Sequence, residues 1–165
     1  MLDARRMVDQ ALGAVLTFIM AVMVVNVVWQ VFTRYVLGAP SSYTEELARY
    51  LLIWVSLLGG AYAAGKRMHL AIDVFTARLE GQRRIRMRQF IHGCVLLFAL
   101  SAMVVGGIRL VYISFALEQM SAALRVSLGF VYLVVPISGL LIVFYTLSHL
   151  VEDAAAERHG VPARP

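Results

Sequence analysis

Four long stretches of this sequence carry no charged side chain, and they constrain the fold more than any other feature. The stretches cover residues 10–33, 50–65, 89–108 and 126–151, which is more than half of the 165 residues. At a rise of 1.5 Å per residue, helices of these lengths reach roughly 24–39 Å, against a hydrocarbon core about 30 Å thick. Only 15% of the residues are charged, where a soluble domain has about 25%. The sequence therefore predicts an all-α integral membrane protein with four transmembrane helices.

The residues flanking each stretch set the expected boundaries. Turn-forming residues followed by two glutamates, Glu45 and Glu46, indicate that the second helix begins before its charge-free stretch. Pro136 has no amide N–H and predicts a kink in the fourth helix. We expect a single membrane domain over 1–165 with these parts: spans at about 10–33, 47–65, 89–115 and 127–151, and a flexible polar tail at 152–165.

Lysine and arginine are distributed unevenly between the segments that connect the spans. The N-terminus, the connection between the second and third spans, and the tail together hold eleven of them, and the two remaining connections hold four. The positive-inside rule then places both termini in the cytoplasm. Segment 70–88 combines an apolar stripe with several arginines, which predicts a basic amphipathic segment at the membrane surface. The net charge of +5 is thus assigned to membrane lipids, and no nucleic-acid partner is expected.

Polar and small residues within the spans indicate faces that contact protein. Asn26, Gln30 and Arg34 recur every four residues and share one face of the first helix, where they either bond to neighbouring helices or bind a solute. In the second helix, Ser56 and Gly60 stand four residues apart beside Gly59, a spacing that permits close helix packing. Trp54 is interpreted as a packing or interfacial aromatic residue.

Charged and titratable groups stand at the ends of the spans. Arg34 ends the first helix, and Glu45, Glu46 and Arg49 open the second, so we expect the four charges to converge in one cluster that fixes this hairpin. At the other end, His69 and Asp73 are four residues apart, and a helix there lets the carboxylate accept a hydrogen bond from the imidazole.

Three functional classes are compatible with a four-helix membrane chain. A haem- or quinone-linked anchor would use His92 and His149, which are both expected near the cytoplasmic surface. A self-sufficient exporter would need a carboxylate embedded in a span, and the charge-free stretches offer none. No catalytic constellation and no set of metal ligands is found in the sequence, so we expect neither an enzyme nor a bound metal. The third class is a subunit that supports a larger membrane protein.

Residues 34–73 resemble one known family. The matching features occur in order: Arg34-Tyr35 at the end of the first helix, Glu45-Glu46 and Arg49 at the start of the second, Trp54, Leu58-Gly59-Gly60-Ala61, and the run from His69 to Asp73. Together they resemble the small membrane subunit of the tripartite ATP-independent periplasmic (TRAP) transporters, a bacterial family with four-helix small permeases.

The resemblance implies a non-catalytic, multi-pass subunit of the bacterial inner membrane. In that family a large membrane subunit carries the substrate and sodium sites, and a periplasmic binding protein delivers an organic acid. The small subunit braces the stationary part of the large one. The resemblance therefore implies that this chain holds no cofactor, no substrate and no metal, and that sodium binds in the partner subunit. The resemblance, together with the small-residue spacing that includes Ser56, gives these expected structural or interface residues: Arg34, Glu45, Glu46, Arg49, Trp54, Ser56, Gly59, Gly60, His69 and Asp73.

Overall fold

The computed structural model describes residues 2–39, 41–66 and 82–158, and its regular structure there is helical. The helices are α1 (Leu2–Tyr35), α2 (Ser42–Gly65), α3 (Gln82–Phe98), α4 (Gly106–Ala116), α5 (Leu128–Tyr132) and α6 (Val134–Arg158), and a π-helical segment, Ala99–Val105, joins α3 to α4. Four stretches within these ranges are long and apolar enough to cross a membrane: Arg5–Tyr35, Ser42–Gly65, Gln89–Ala116 and Leu128–Val151. The all-helical architecture with four spans is confirmed.

The helices extend beyond the apolar stretches from which they were predicted. Residues 82–88, which were assigned to the surface segment 70–88, belong to α3 and continue into the third span. Likewise α6 runs to Arg158, into the segment 152–165 that was expected to be a flexible tail. Neither extension contains glycine or proline, so nothing in the local sequence stops a helix at the hydrocarbon boundary. The rest of the surface segment, 70–81, lies outside the described residues.

The four spans pack as a row. In the described residues, α1 packs along α2, α2 packs along α6, and α6 packs along the third span, which consists of α3, the π-helical segment and α4. The order across the row is therefore first, second, fourth, third. Because each inner helix has two neighbours and each outer helix has one, most side chains face away from protein. Between 11% and 33% of each spanning window is buried.

A small apolar core lies between the first, second and fourth spans. It consists of Leu12, Ile19, Leu58, Val134 and Tyr145, and Trp54 is partly buried against it. The remaining large apolar side chains of α1 and the third span are mostly exposed, which suits contact with lipid or with another protein.

The third and fourth spans approach each other closely at two glycines. A Cβ atom added at Gly107 would lie 2.9 Å from Cδ of Pro136, and one added at Gly139 would lie 2.8 Å from Cβ of Met103. Each glycine therefore permits a contact that a larger residue would prevent. The fourth span is interrupted at Leu133, between α5 and α6, at the place where Pro136 cannot donate a backbone hydrogen bond.

The third loop, residues 117–127 between α4 and α5, has a defined backbone conformation. Glu118 and Arg125 both have positive φ, 48° and 52°. Ser121 donates its backbone N–H to Val126 O at 2.9 Å, and Leu128 donates to Gln119 O at 2.9 Å. Since positive φ is costly for residues other than glycine, further contacts must hold this conformation.

Candidate functional site at the two ends of the helix row

Polar contacts concentrate at the two ends of the row. We call one group the loop clamp: Glu46 and Tyr50 of α2 with the backbone of Ala123 and Leu124 in the third loop. We call the other group the basal cluster: Arg5 and Asp9 of α1, Lys66 after α2, and Tyr145 of α6. The described residues include no group of three or more His, Cys, Asp or Glu side chains arranged to hold a metal ion.

The loop clamp rests on a single carboxylate. Oε2 of Glu46 accepts the backbone N–H groups of Ala123 and Leu124, at 2.8 and 2.9 Å. Oε1 accepts the hydroxyl of Tyr50 at 2.7 Å. Hydrogen bonds to an ionised acceptor are stronger than neutral ones, so Glu46 ties the third loop to the start of the second helix.

The predicted cluster of Arg34, Glu45, Glu46 and Arg49 is wrong as a single unit. Glu45 and Arg49 pair at 3.6 Å, with both side chains about two thirds exposed, at 66% and 67%. Glu46 lies on another side of α2 and contacts the third loop instead. Within the described part of the chain, Arg34 is exposed and makes no ion pair. The reason is geometric: successive helix positions differ by about 100°, which separates Glu46 from Glu45.

The basal cluster joins three helices. Oδ1 of Asp9 accepts the hydroxyl of Tyr145 at 2.6 Å, and Oδ2 accepts the Lys66 ammonium at 3.0 Å. Arg5 donates to the Gly65 carbonyl, which ends α2, at 2.6 Å. The buried Tyr145 also packs on Gly65, where an added Cβ would lie 2.7 Å from its ring. The first, second and fourth spans are therefore fastened together at this end.

Lys66 keeps access to solvent while it binds Asp9. Its side chain is 42% exposed, and its ammonium lies 5.3 Å from the centre of the Tyr62 ring. The hydrogen bond to Asp9, and the negative charge of that carboxylate, raise the pKa of Lys66 above its usual value. The ammonium therefore stays charged throughout the physiological pH range.

The polar face of the first helix contacts the second helix at one point. Asn26 is buried and its side-chain amide donates to the Thr44 carbonyl at 2.8 Å. Gln30 is half-buried, and its backbone carbonyl accepts the hydroxyl of the buried Thr33 at 3.0 Å. The side chain of Asn26 therefore forms a hydrogen bond between the first and second helices.

Ser56, Gly59 and Gly60 of the second helix have open space beside them in the part of the chain that the structure describes. Ser56 and Gly60 are exposed, and Gly59 is half-buried. A Cβ atom added at Gly59 or Gly60 would meet nothing within 4 Å. In contrast, Ala61 and Ala64 are buried and face the interior of the row. The face with Ser56 and Gly60 is therefore open.

Four other residues were singled out from the sequence or its resemblance. His149 of α6 is buried and His92 of α3 is half-buried, and each has an interaction partner. His69 and Asp73 lie outside the described residues, so their expected hydrogen bond stays a prediction.

Sequence reasoning missed Asp9, Lys66 and Tyr145. Asp9 directly precedes one charge-free stretch and Lys66 directly follows another, which is a readable signal for a contact at one membrane surface. Nothing in the sequence identifies Tyr145 as their partner among the seven tyrosines. The sequence also does not reveal the partners of Glu46, because these are backbone N–H groups, which every residue except proline carries.

Comparison with known proteins agrees with this architecture. Residues 23–156 match the family model of the DctQ component of tripartite ATP-independent periplasmic transporters. The chain is 35% identical over 69 residues to the sialic acid TRAP transporter small permease protein SiaQ of Vibrio cholerae, covering 42% of this chain and 40% of that protein. It is 33% identical over 72 residues to a Haemophilus influenzae protein whose name also describes a TRAP transporter small permease, covering 44% and 45%.

The aligned regions span less than half the length of either relative. The family model, however, covers most of the chain, including the second, third and fourth spans and both polar clusters except for Arg5 and Asp9. The described residues include four helices long and apolar enough to cross a membrane. By the match of most of its length, the chain belongs to the family of DctQ components of TRAP transporters, the small permease subunits of these membrane transporters.

Proposed function

We propose that this chain is the non-catalytic small permease subunit of a sodium-driven, binding-protein-dependent TRAP transporter for organic acids. It braces a large membrane subunit that carries the substrate and sodium sites, and it holds no cofactor itself. The observation that carries this proposal is the match of residues 23–156 to the DctQ component family. One relative is named for sialic acid, which is a carboxylic acid and fits the proposed substrate class.

The packing of the spans supports a role as a partner subunit. A row of four helices leaves two broad apolar faces, and only a small core is buried between the helices. The open face of α2 carries Ser56 and Gly60, where another helix can approach closely. We propose that the large subunit occupies this face, so that the exposed Glu45 and Arg49 lie near or at the interface. Trp54 packs on the core instead and lies on another side of α2.

We further propose the orientation given by the distribution of basic residues. Both termini and segment 70–88 then lie on the cytoplasmic side of the inner membrane, and the third loop lies on the periplasmic side. The basal cluster is cytoplasmic in this orientation, and the loop clamp faces the periplasm, where a binding protein arrives.

Reconstitution into liposomes tests the proposed role. We expect no sodium-driven uptake of any organic acid with this chain alone. Uptake is expected when the large subunit and a loaded binding protein are added, and it should stop when this chain is omitted. Uptake by this chain alone, or full activity of the large subunit without it, would contradict the proposal.

Two glycine substitutions test the proposed interface. Gly60→Leu adds a bulky side chain to open space in this chain, so the isolated subunit should keep its thermal stability. We expect it to reduce copurification with the large subunit, because overpacking prevents close helix approach. Gly93→Leu on α3 is the matched control, since an added Cβ there also meets nothing within 4 Å. Equal copurification of both variants would place the interface elsewhere.

A further inference from the structure

The basal cluster carries more positive charge than its one carboxylate neutralises. Lys66 binds Asp9, Arg5 precedes Asp9 by four residues, and the neighbouring Arg6 precedes it by three on the same helix, which gives a net charge of +2 for these four side chains. Both oxygens of Asp9 are already engaged, one by Lys66 and the other by Tyr145. A single carboxylate charge thus stands beside several cations.

Two of these cations are accessible. Arg6 is exposed on α1, and Lys66 remains 42% exposed although it binds Asp9. An ammonium group has three donors, and the carboxylate of Asp9 uses one of them. Arg6 is three residues before Asp9 on α1, so it projects from the same side of that helix, and its guanidinium has five donors. These donors suit an anion with several oxygen atoms, such as a phosphate.

The depth of the cluster matches that of lipid phosphates. Arg6 stands one helical turn before the charge-free stretch 10–33, and Lys66 directly follows the stretch 50–65. Both cations therefore lie where the apolar part of the protein ends. The apolar side chain of Met7 is next to Arg6 and is 70% exposed, so a lipid bound at the cations can also place an acyl chain against α1.

We propose that Arg6 and Lys66, supported by the field of Arg5, form a binding site for the phosphate of an anionic phospholipid headgroup. The excess positive charge favours phosphatidylglycerol or cardiolipin over zwitterionic lipids. A bound headgroup would contact the first helix and the end of the second at the same time. The lipid would thereby stabilise the packing of α1 against α2. This proposal concerns the chain in a membrane and does not depend on its role in transport.

Lipid titration of the purified full chain in detergent tests the site. We expect cardiolipin to raise the thermal unfolding midpoint, and phosphatidylcholine to leave it nearly unchanged. Arg6→Gln should weaken cardiolipin binding about fivefold, since each basic residue near a lipid surface contributes about 1 kcal/mol. Lys66→Gln should weaken it at least as much. Arg6→Gln is the more informative of these two variants, because Arg6 is exposed and makes no polar contact among the described residues.

Arg109→Gln is the matched control, because Arg109 is an exposed arginine on α4, in another span. Equal effects of Arg109→Gln and Arg6→Gln would show unspecific charge attraction and overturn the proposal. Inorganic phosphate at millimolar concentration tests whether the bound phosphate belongs to a lipid headgroup or to a soluble anion. Stabilisation by phosphate that equals that by cardiolipin would assign the site to a soluble anion and overturn the lipid assignment. Failure of transport in reconstituted vesicles would leave these binding results unaffected.

Discussion

The loop clamp and the basal cluster each contain a carboxylate and a tyrosine, but their remaining partners differ in kind. At the loop clamp, Glu46 binds two backbone N–H groups of a loop that lies more than 70 residues away in the sequence. At the basal cluster, Asp9 binds the ammonium group of Lys66. The first arrangement depends on the conformation of a backbone segment, and the second depends on the identity of each side chain.

Because the partners differ, the two ends are disrupted by different substitutions. Most substitutions of Ala123 or Leu124 leave the backbone N–H groups in place, so the bonds between α2 and the third loop are best removed by changing Glu46. The basal cluster can be broken at Asp9, Lys66 or Tyr145, and each change leaves a different group without its partner. Substitutions at the loop clamp therefore test the conformation of the third loop, and substitutions at the basal cluster test the packing of the helices.

The largest effect is expected from Glu46→Ala. Loss of the carboxylate leaves the backbone N–H groups of Ala123 and Leu124 without their acceptor, directly before Arg125, whose positive φ is costly. We expect the loop to open and trypsin to cleave after Arg125, which is the only basic residue in 117–127. Limited proteolysis followed by mass spectrometry measures this cleavage. Glu45→Gln is the control and should leave the loop resistant, and equal cleavage of both variants would contradict the clamp.

A smaller effect is expected from alanine at the two glycines that contact aromatic rings. Gly65→Ala places a Cβ 2.7 Å from the ring of Tyr145, which is fully buried and bonded to Asp9 and cannot move away. Such overpacking costs about 1–3 kcal/mol. Gly129→Ala places a Cβ 2.6 Å from the ring of Phe115, which is 41% exposed and can rotate toward lipid. Thermal unfolding in detergent should show the larger loss for Gly65→Ala, and the reverse order would show that the basal end is the more adaptable one.

Tyr145→Phe should weaken the basal cluster without changing its packing. The ring keeps its contact with Gly65, and only the hydrogen bond to Asp9 is lost. Hydrogen bonds between membrane helices contribute about 1 kcal/mol, so the free energy of unfolding should fall by that amount. Titration with a denaturing detergent measures the change. Trypsin cleavage after Arg125 should stay at the level of the unmodified chain, and an increase would mean that the two ends are coupled.

The smallest effect is expected from Arg49→Gln. Its ion pair with Glu45 is about two thirds exposed on both sides, and exposed helix pairs of this spacing contribute about 0.3–0.5 kcal/mol. The stability of the isolated subunit should therefore hardly change. If the large subunit covers this pair, copurification will fall although stability does not, and unchanged copurification would exclude Arg49 from the interface.

The sequence predicts the spans well because their signal is local. A long stretch without charge favours the membrane over water wherever it occurs. Three of the four stretches lie wholly within spanning helices, and the fourth does so except for residues 126 and 127. The resemblance found in residues 34–73 also rests on local motifs, and it points to the family that the comparison shows.

The contacts that connect the spans could not be predicted in the same way. The partners of Glu46 are backbone groups. Nothing in the sequence distinguishes Tyr145 from the other tyrosines, and only the fold places it beside Asp9. The π-helical segment Ala99–Val105 has no glycine or proline that would mark it. Met103 within this segment lies at the close contact of the third and fourth spans, opposite Gly139.

The order of the row also bears on how the protein is made. The first and second spans are neighbours both in sequence and in space, and so are the third and fourth. Each pair can therefore leave the insertion machinery as a helical hairpin with its main contact already formed. In the described residues the two hairpins pack on each other mainly along α2 and α6. They are also bonded at both ends: Glu46 of α2 accepts from the third loop, and Tyr145 of α6 donates to Asp9 of α1. Assembly of the chain then amounts to the lateral docking of two preformed hairpins, in which these two residues define the register.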